Sequence, residues 1–250
     1  MYPILQIGPL AIQLPGLLLL AGLWIGTMLA ERETARYKLD PGHISNMVFI
    51  ALAAAIIGAR LGYALKYLDL YLDEPLNLLA LNLNTLSTTE GIAAGLISAM
   101  IYAQRKGLSL TPTLDTLTPG AAVFAIFFAL AHISSGDAFG TATTVPWAIE
   151  LWGATRHPTQ IYELLIAVSV MLVILQIRKT KFFSGFTFTL FVALSAISRL
   201  FLEGFRGDSE IVFGSVRGAQ LISFAMMIFA LIALHLLSRN NAEKKDQTPA

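Results

Sequence analysis

The sequence predicts an all-α, polytopic membrane protein of about seven transmembrane helices. Its 250 residues are 56% hydrophobic and 13% charged, with a mean hydropathy of +0.68, which is too apolar for an ordinary soluble domain. Apolar runs long enough to cross a bilayer recur along the chain, separated by short polar segments. We therefore expect one transmembrane domain over residues 1–237, followed by a disordered cytoplasmic tail over 238–250.

Composition also excludes several classes of function. The net charge of +1 comes without a basic stripe, so nucleic-acid binding is not indicated. The chain contains no cysteine, which excludes disulfides, thiolate metal sites and a cysteine nucleophile of its own. Any thiol in the chemistry must come from a substrate, and neither a metal nor a cofactor is expected. The first thirty residues lack a basic n-region and read as a retained first helix.

Seven spans are predicted from the apolar runs. They are residues 12–30, 44–65, 90–103, 114–133, 160–177, 182–202 and 220–237. The apolar run 70–86 is broken by Pro75 and three asparagines, so we expect it to lie at the membrane interface. Segments 66–89 and 134–158 are predicted outer-side loops, and the second contains Trp147 and Trp152, a residue type that commonly anchors at headgroup level.

The distribution of lysine and arginine predicts the orientation. Eleven of the seventeen basic residues fall on one side of the seven predicted spans: Arg32, Arg36, Lys38, Arg105, Lys106, Arg178, Lys179, Lys181, Arg239, Lys244 and Lys245. Because positive residues accumulate on the cytoplasmic side, we predict an outside N-terminus and a cytoplasmic C-terminus.

The other six basic residues lie within the predicted spans or on the predicted outer side, where the positive-inside rule does not favour them. They are Arg60, Lys66, Arg156, Arg199, Arg206 and Arg217. One interpretation is an outward-facing, positively charged pocket for an anionic group such as a lipid phosphate. The other is scattered anchoring at the interface. Composition leaves both open.

An ionisable cluster at the end of the sixth span bears on this choice. Arg199, Glu203 and Arg206 are spaced four and three residues apart, so a continuing helix places them on one face with the acid between two cations. Such groups in a membrane helix usually face a polar cavity or a partner. A salt bridge that extends to the interface is the alternative.

Three motifs carry a resemblance to a known family. They are 58–63 (Gly-Ala-Arg-Leu-Gly-Tyr), 156–163 (Arg-His-Pro-Thr-Gln-Ile-Tyr-Glu), and the Arg199, Glu203 and Arg206 set. In order and spacing they resemble the prolipoprotein diacylglyceryl transferases. Further matching positions are Asp115, Pro119, 136–140 and Gln220. The resemblance covers nearly the whole chain, and the 156–163 block is its most specific part.

The resemblance implies a bacterial plasma-membrane enzyme of lipoprotein maturation. Such an enzyme moves a diacylglyceryl group from phosphatidylglycerol to the lipobox cysteine of a prolipoprotein and releases glycerol phosphate. It implies that Arg199 is a phosphate ligand and that Glu203 orients it or accepts a proton. Substrate-binding roles are expected for the remaining matched positions: Arg60, Gly136, Asp137, Arg156, Gln160, Tyr162 and Arg206. For Gln160 and Tyr162, a role at the start of a helix or at the interface stays open.

Several positions depart from the family pattern. Of the usual Gly-Arg-x-Gly-Asn-x-x-Asn-Gly-Glu signature, only the final glycine and acid survive, as Gly136 and Asp137. Ala129 replaces the arginine and His132 replaces the first asparagine. Elsewhere, the family's histidine in the third span is Ala93, and Pro15 stands where a tyrosine usually precedes Gly16.

His132 offers a replacement for the lost groups. A histidine near the outer boundary can act as general base for a thiol, or it can simply cap the end of the fourth span. Two functions therefore stay open: a diacylglyceryl transferase, with His132, Arg199 and Glu203 as catalytic residues, and a non-catalytic paralogue that binds anionic phospholipid or a lipoprotein precursor. Retention of Arg199, Glu203 and the 156–163 block favours the transferase. A retinal photoreceptor is excluded, because the seventh span has no lysine.

Overall fold

The structure of the protein is a computed structural model that describes residues 3–7, 10–79, 85–180 and 182–246. Helices make up 73% of it, which confirms the predicted all-α class. Within the described ranges there are eight α-helices: α1 (Leu14–Tyr37), α2 (Pro41–Lys66), α3 (Leu68–Asp73), α4 (Thr88–Arg105), α5 (Leu110–Ser135), α6 (Thr159–Ile177), α7 (Phe186–Glu203) and α8 (Gly218–Asp246). A 3₁₀ helix follows α3 at Pro75–Leu79.

Three small antiparallel hairpins flank the helices. They are β1 (Ile4–Ile7) with β2 (Leu10–Gln13), β3 (Ile149–Leu151) with β4 (Ala154–Arg156), and β5 (Ile211–Phe213) with β6 (Val216–Arg217). The second lies in the predicted outer-side loop 134–158. Trp147 and Trp152 in that loop are 62% and 63% exposed, as expected for interfacial anchors.

Among the residues that the structure describes, six helices are long and apolar enough to cross a membrane, so the protein is a multi-pass membrane protein. They are α1, α2, α5, α6, α7 and α8. Helix α4 covers the predicted third span, but its 18 residues include Glu90, Gln104 and Arg105 and it is not among the six. Its length of about 27 Å is short for a bilayer core. The seventh span and the orientation of the termini therefore stay predictions.

Helix α8 is longer than the sequence predicts. It continues to Asp246, through residues 238–246, where we expected a disordered tail. The stretch contains neither glycine nor proline and is rich in residues compatible with a helix, so the span propagates into it. Residues 247–250 lie outside the described part of the chain.

Two compact units can be distinguished, residues 1–33 with 114–250, and residues 34–113. The single transmembrane domain over 1–237 stays a prediction. In the first unit, α7 lies against both α6 and α8. Helices α1 and α5 cross at Gly26 and Gly120, where a Cβ on Gly120 would lie 2.3 Å from the Gly26 carbonyl oxygen. Only glycine permits so close an approach of two backbones.

Two polar contacts fix the helix ends of this unit. The Asp115 carboxylate accepts hydrogen bonds from the amides of Gly185 (2.6 Å) and Phe188 (2.9 Å), and so caps the N-terminus of α7. Glu33, near the end of α1, forms an ion pair with Arg178 after α6. The family position Asp115 thus serves the fold, because the free amides at a helix start need acceptors.

The second unit is built on α2 and α4. Small residues let these helices approach closely, and a Cβ on Gly58 would lie 2.3 Å from the Ala94 Cβ. Helix α2 begins after Asp40, whose Oδ1 accepts a hydrogen bond from the Gly42 amide at 2.8 Å. The run predicted to be interfacial forms α3 and the 3₁₀ helix, with Leu76 81% exposed, while residues 80–84 lie outside the described part.

Candidate functional site

The charged cluster forms at the end of α7 as its spacing predicts. The Nε atom of Arg199 lies 2.7 Å from Oε1 of Glu203, and the Nε atom of Arg206 lies 3.7 Å from the same oxygen. The Glu203 side chain is fully buried, whereas that of Arg199 is 40% exposed. The buried Glu203 carboxylate therefore holds the guanidinium of Arg199, whose side chain remains partly exposed.

Arg206 is held from its other side. Its Nε and Nη2 atoms donate to the two oxygens of Asp208 at 2.9 and 2.8 Å. Burial alone would raise the pKa of Asp208, but the hydrogen bonds and charge of Arg206 outweigh it and keep that pKa below its usual value. Asp208 also accepts from the Ala138 amide at 3.1 Å, and the Ser209 hydroxyl donates to Glu203. The cluster is thereby tied to the loop that follows α5.

An apolar cavity of about 140 Å³ lies between α5, α6 and α7. Phe128 and Phe191 form part of its wall, and Arg199 and Glu163 are the charged residues in it. A second, narrow cavity of about 10 Å³ is lined by Ala138, Thr159, Glu163, Arg199, Leu202 and Arg206. Glu163, Arg199 and Leu202 line both. The apolar cavity and the narrow cavity with its charged residues therefore adjoin. This arrangement suits a molecule with a hydrocarbon part and an anionic head.

The carboxylate of Glu163 is paired with a histidine. His132 Nδ1, on α5, lies 2.6 Å from Glu163 Oε2, on α6, and the two side chains are 16% and 17% exposed. The Phe128 ring and the imidazole pack in a T-shaped arrangement, with centroids 4.4 Å apart. Glu163 was not among the residues predicted from the sequence, although it ends the most specific motif. An acid inside an apolar span was the available signal.

Arg156 stabilises the loop between α5 and α6. Its Nε donates to the Leu151 carbonyl at 3.0 Å and its Nη1 donates to the Gly140 carbonyl at 3.2 Å. Its guanidinium also lies 4.9 Å from the centre of the Phe139 ring. Arg156 lines neither cavity described above, so its predicted part in the anion site stays a prediction.

The other loop residues have similar surroundings. Gln160 Nε2 donates to the Asp137 carbonyl at 3.0 Å, and the Gly136 carbonyl accepts from Trp152 Nε1 at 3.1 Å. The Tyr162 hydroxyl accepts from Trp147 Nε1 at 2.6 Å. Gly136, Asp137, Gln160 and Tyr162 are absent from both linings, and their predicted substrate contacts stay predictions.

Arg60 lies in the second unit. Its guanidinium donates to the carbonyls of Asn77 (2.8 Å), Leu78 (2.9 Å) and Thr85 (3.3 Å). It thus holds the segment after α3 against α2. The predicted convergence of Arg60 with Arg199 stays a prediction.

Two further observations bear on the chemistry. Ala129, which the sequence resemblance places at the family's arginine position, is completely buried in α5. Within the part of the chain that the structure describes, no group of three or more His, Asp and Glu side chains could hold a metal ion.

Comparison with known proteins places the chain in a family. Residues 3–236 match the model of the prolipoprotein diacylglyceryl transferase family. Three similar proteins are each named phosphatidylglycerol–prolipoprotein diacylglyceryl transferase. That of Rhizobium leguminosarum bv. trifolii is 32% identical, covering 89% of this chain and 84% of the relative. The Allorhizobium ampelinum protein is 30% identical (92% and 87%), and the Clostridioides difficile protein is 29% identical (90% and 91%). The chain therefore belongs to the prolipoprotein diacylglyceryl transferase family.

Proposed function

We propose that this protein transfers a diacylglyceryl group from phosphatidylglycerol to the lipobox cysteine of prolipoproteins in a bacterial plasma membrane. The names of its relatives support this reaction. The observation that carries the proposal is the position of Arg199, which lines both the apolar cavity and the charged cleft. A phospholipid bound there would place the part of its hydrocarbon nearest the glycerol in the cavity, which is too small for two whole acyl chains, and its phosphate at the guanidinium.

Arg199 suits the stabilisation of a leaving phosphate. As the carbon–oxygen bond breaks, negative charge grows on the departing glycerol phosphate. Arg199 contacts Glu203 through Nε, so its terminal nitrogens can bind two phosphate oxygens at once. The buried Glu203 holds the guanidinium in place before the substrate arrives, so little reorganisation is needed in the transition state.

Arg206 supplies a second cation that is held more rigidly. The Nε and Nη2 atoms of Arg206 already donate to Asp208, and the Arg206 side chain is 13% exposed. It therefore acts through its field rather than as a direct phosphate clamp. Because the family's arginine is replaced by the buried Ala129, the activity of this chain depends on Arg199 and Arg206.

The nucleophile comes from the substrate, since the chain has no cysteine. A thiol must lose its proton to attack carbon, so the site needs a proton acceptor. The sequence predicts His132 for this role. His132 lies 2.6 Å from Glu163, and this pair is the proposed acceptor.

The proposal is tested with the purified protein in micelles that contain phosphatidylglycerol. A lipobox peptide is added, and mass spectrometry measures the diacylglyceryl-thioether product. A peptide with serine in place of cysteine is the control. We expect product from the cysteine peptide alone. If no anionic phospholipid gives product while Arg199→Ala weakens lipid retention, the protein is the non-catalytic lipid-binding paralogue instead.

A further inference from the structure

Glu163 occupies a junction in the first unit. It lines the apolar cavity of about 140 Å³ between α5, α6 and α7, and it also lines the narrow cleft beside Arg199 and Arg206. A thiol that attacks a lipid whose hydrocarbon part enters the cavity and whose phosphate lies at Arg199 must approach this junction. Glu163 is therefore well placed to meet the reacting atoms.

His132 is placed differently. It lines neither of these cavities. Its side chain lies 2.6 Å from Glu163 Oε2 and packs against the Phe128 ring in a T-shaped arrangement. An imidazole in this position reaches a substrate through the carboxylate that it touches. With its Nδ1 proton donated to Oε2, it fixes the orientation of the carboxylate and leaves Oε1 for another partner.

We propose that Glu163 is the catalytic proton acceptor for the substrate thiol and that His132 is its positioning residue. The inference rests on the proposed function and refines it. The S–H proton passes to Oε1 of Glu163, and the thiolate forms the new carbon–sulfur bond. The carbon–oxygen bond to the phosphate breaks, and its electron pair leaves with glycerol phosphate at Arg199. Atoms and charge balance without a further reactant.

The charged groups around Glu163 come from two helices and the segment after α7. His132 from α5 contacts Glu163, and Arg199 and Arg206 line the narrow cavity together with it. Both arginines are paired with other carboxylates, namely Glu203 and Asp208. Glu163 is therefore the carboxylate of this cavity that the structure does not pair directly with an arginine among the described residues.

The experiment separates a proton acceptor from a structural contact between α5 and α6. Thioether formation is measured for the unmodified protein, Glu163→Gln and His132→Ala at pH about 7 and about 9.5. Glu150→Gln, at an exposed carboxylate of strand β3, is the control. At pH about 7, Glu163→Gln should lower kcat by about 10²–10⁴-fold while KM for phosphatidylglycerol changes less than about threefold.

At pH about 9.5 the peptide thiol, whose pKa is about 8.5, is mostly thiolate already. Glu163→Gln and His132→Ala should then recover to within about tenfold of the unmodified protein, because the acceptor is no longer needed. Arg199→Ala should not recover. Glu150→Gln should match the unmodified protein at both pH values.

Two results would overturn the inference while the unmodified protein is active: full activity of Glu163→Gln at pH about 7, or no recovery at pH about 9.5. Absence of product from the unmodified protein would overturn the proposed function itself. If Glu163→Gln does not fold, Glu163→Asp takes its place. Because the aspartate side chain is shorter, Glu163→Asp should lower kcat tenfold or more at pH about 7 and recover at pH about 9.5. Full activity at pH about 7, or no recovery at pH about 9.5, would again overturn the inference.

Discussion

At the scale of single residues, Glu203 is the least expected finding for an apolar helix. It is a carboxylate with no exposed surface, and burying such a charge costs several kcal/mol unless partners compensate. Arg199, Arg206 and Ser209 supply that compensation. The proposed function gives a reason for burying Glu203, because its carboxylate positions Arg199 to bind an anion.

Arg199 is expected to act on turnover more than on binding. Arg199→Ala should lower kcat by about 10²–10³-fold, because it removes a donor aimed at developing charge, while lipid retention falls less than tenfold. Arg199→Lys should also lose at least tenfold, since it lacks the planar fork. Glu203→Gln should lose activity because an amide does not balance two arginines.

These variants are compared by thioether formation and by phosphatidylglycerol retention, with Arg105→Ala as an exposed arginine outside the cluster. Equal losses of kcat and of lipid retention on Arg199→Ala would contradict a role specific to the transition state.

Asp208 predicts a dependence of stability on pH. Its pKa in the folded protein is lowered, so its contribution is present above the unfolded value of about 3.9 and is lost as pH falls through the lowered folded value. Asp208→Asn should melt below the unmodified protein at pH 7, and the difference should shrink progressively as the pH falls below about 3.9. Thermal unfolding in micelles measures this, with exposed Asp73→Asn as control. A difference that is constant with pH would refute the linkage.

At the scale of elements, the crossing of α1 and α5 depends on two glycines. A side chain at Gly120 would meet the Gly26 backbone, which cannot move aside as a flexible side chain can. Gly120→Leu should therefore separate the helices and lower stability by about 3 kcal/mol or more. The control is Leu20→Phe, which adds bulk at a 57% exposed position of α1 and should change stability by less than about 0.5 kcal/mol.

Chemical unfolding in mixed micelles provides the comparison for these two variants. Equal stability of Gly120→Leu and the unmodified protein would mean that the two backbones do not approach closely in the membrane.

Elements also show where sequence prediction was accurate. The six spans with strong hydropathy appear with ends displaced by four residues or fewer, except that α1 ends seven residues and α8 nine residues later than predicted. Helix length and hydropathy are properties of consecutive residues, which is why the spans can be predicted. The end of α8 was missed, since neither a glycine nor a proline marks it. Helix α4 stays ambiguous, because its length and polarity lie at the limit for a span.

At the scale of the whole molecule, the charge distribution predicts an outside N-terminus and a cytoplasmic C-terminus across seven spans. A tag at Gly140 should be accessible from outside and a tag at Gly107 should not. An alkaline-phosphatase fusion after His235 should be inactive. Outside accessibility at Gly107 would show that α4 does not cross, and an active fusion would refute the predicted orientation.

The sequence by itself determined the membrane class, most of the spans, the family and the Arg199, Glu203 and Arg206 set. Each of these rests on hydropathy, on helical spacing or on a contiguous motif, which are local properties of the chain. Only the tertiary structure decided that Glu163 pairs with His132, 31 positions away. It also decided that Arg156 and Gln160 hold a loop and that α5, α6 and α7 enclose a cavity. The reason is physical: such contacts depend on how helices pack, and helix packing joins residues whose separation in sequence carries no signal of their proximity.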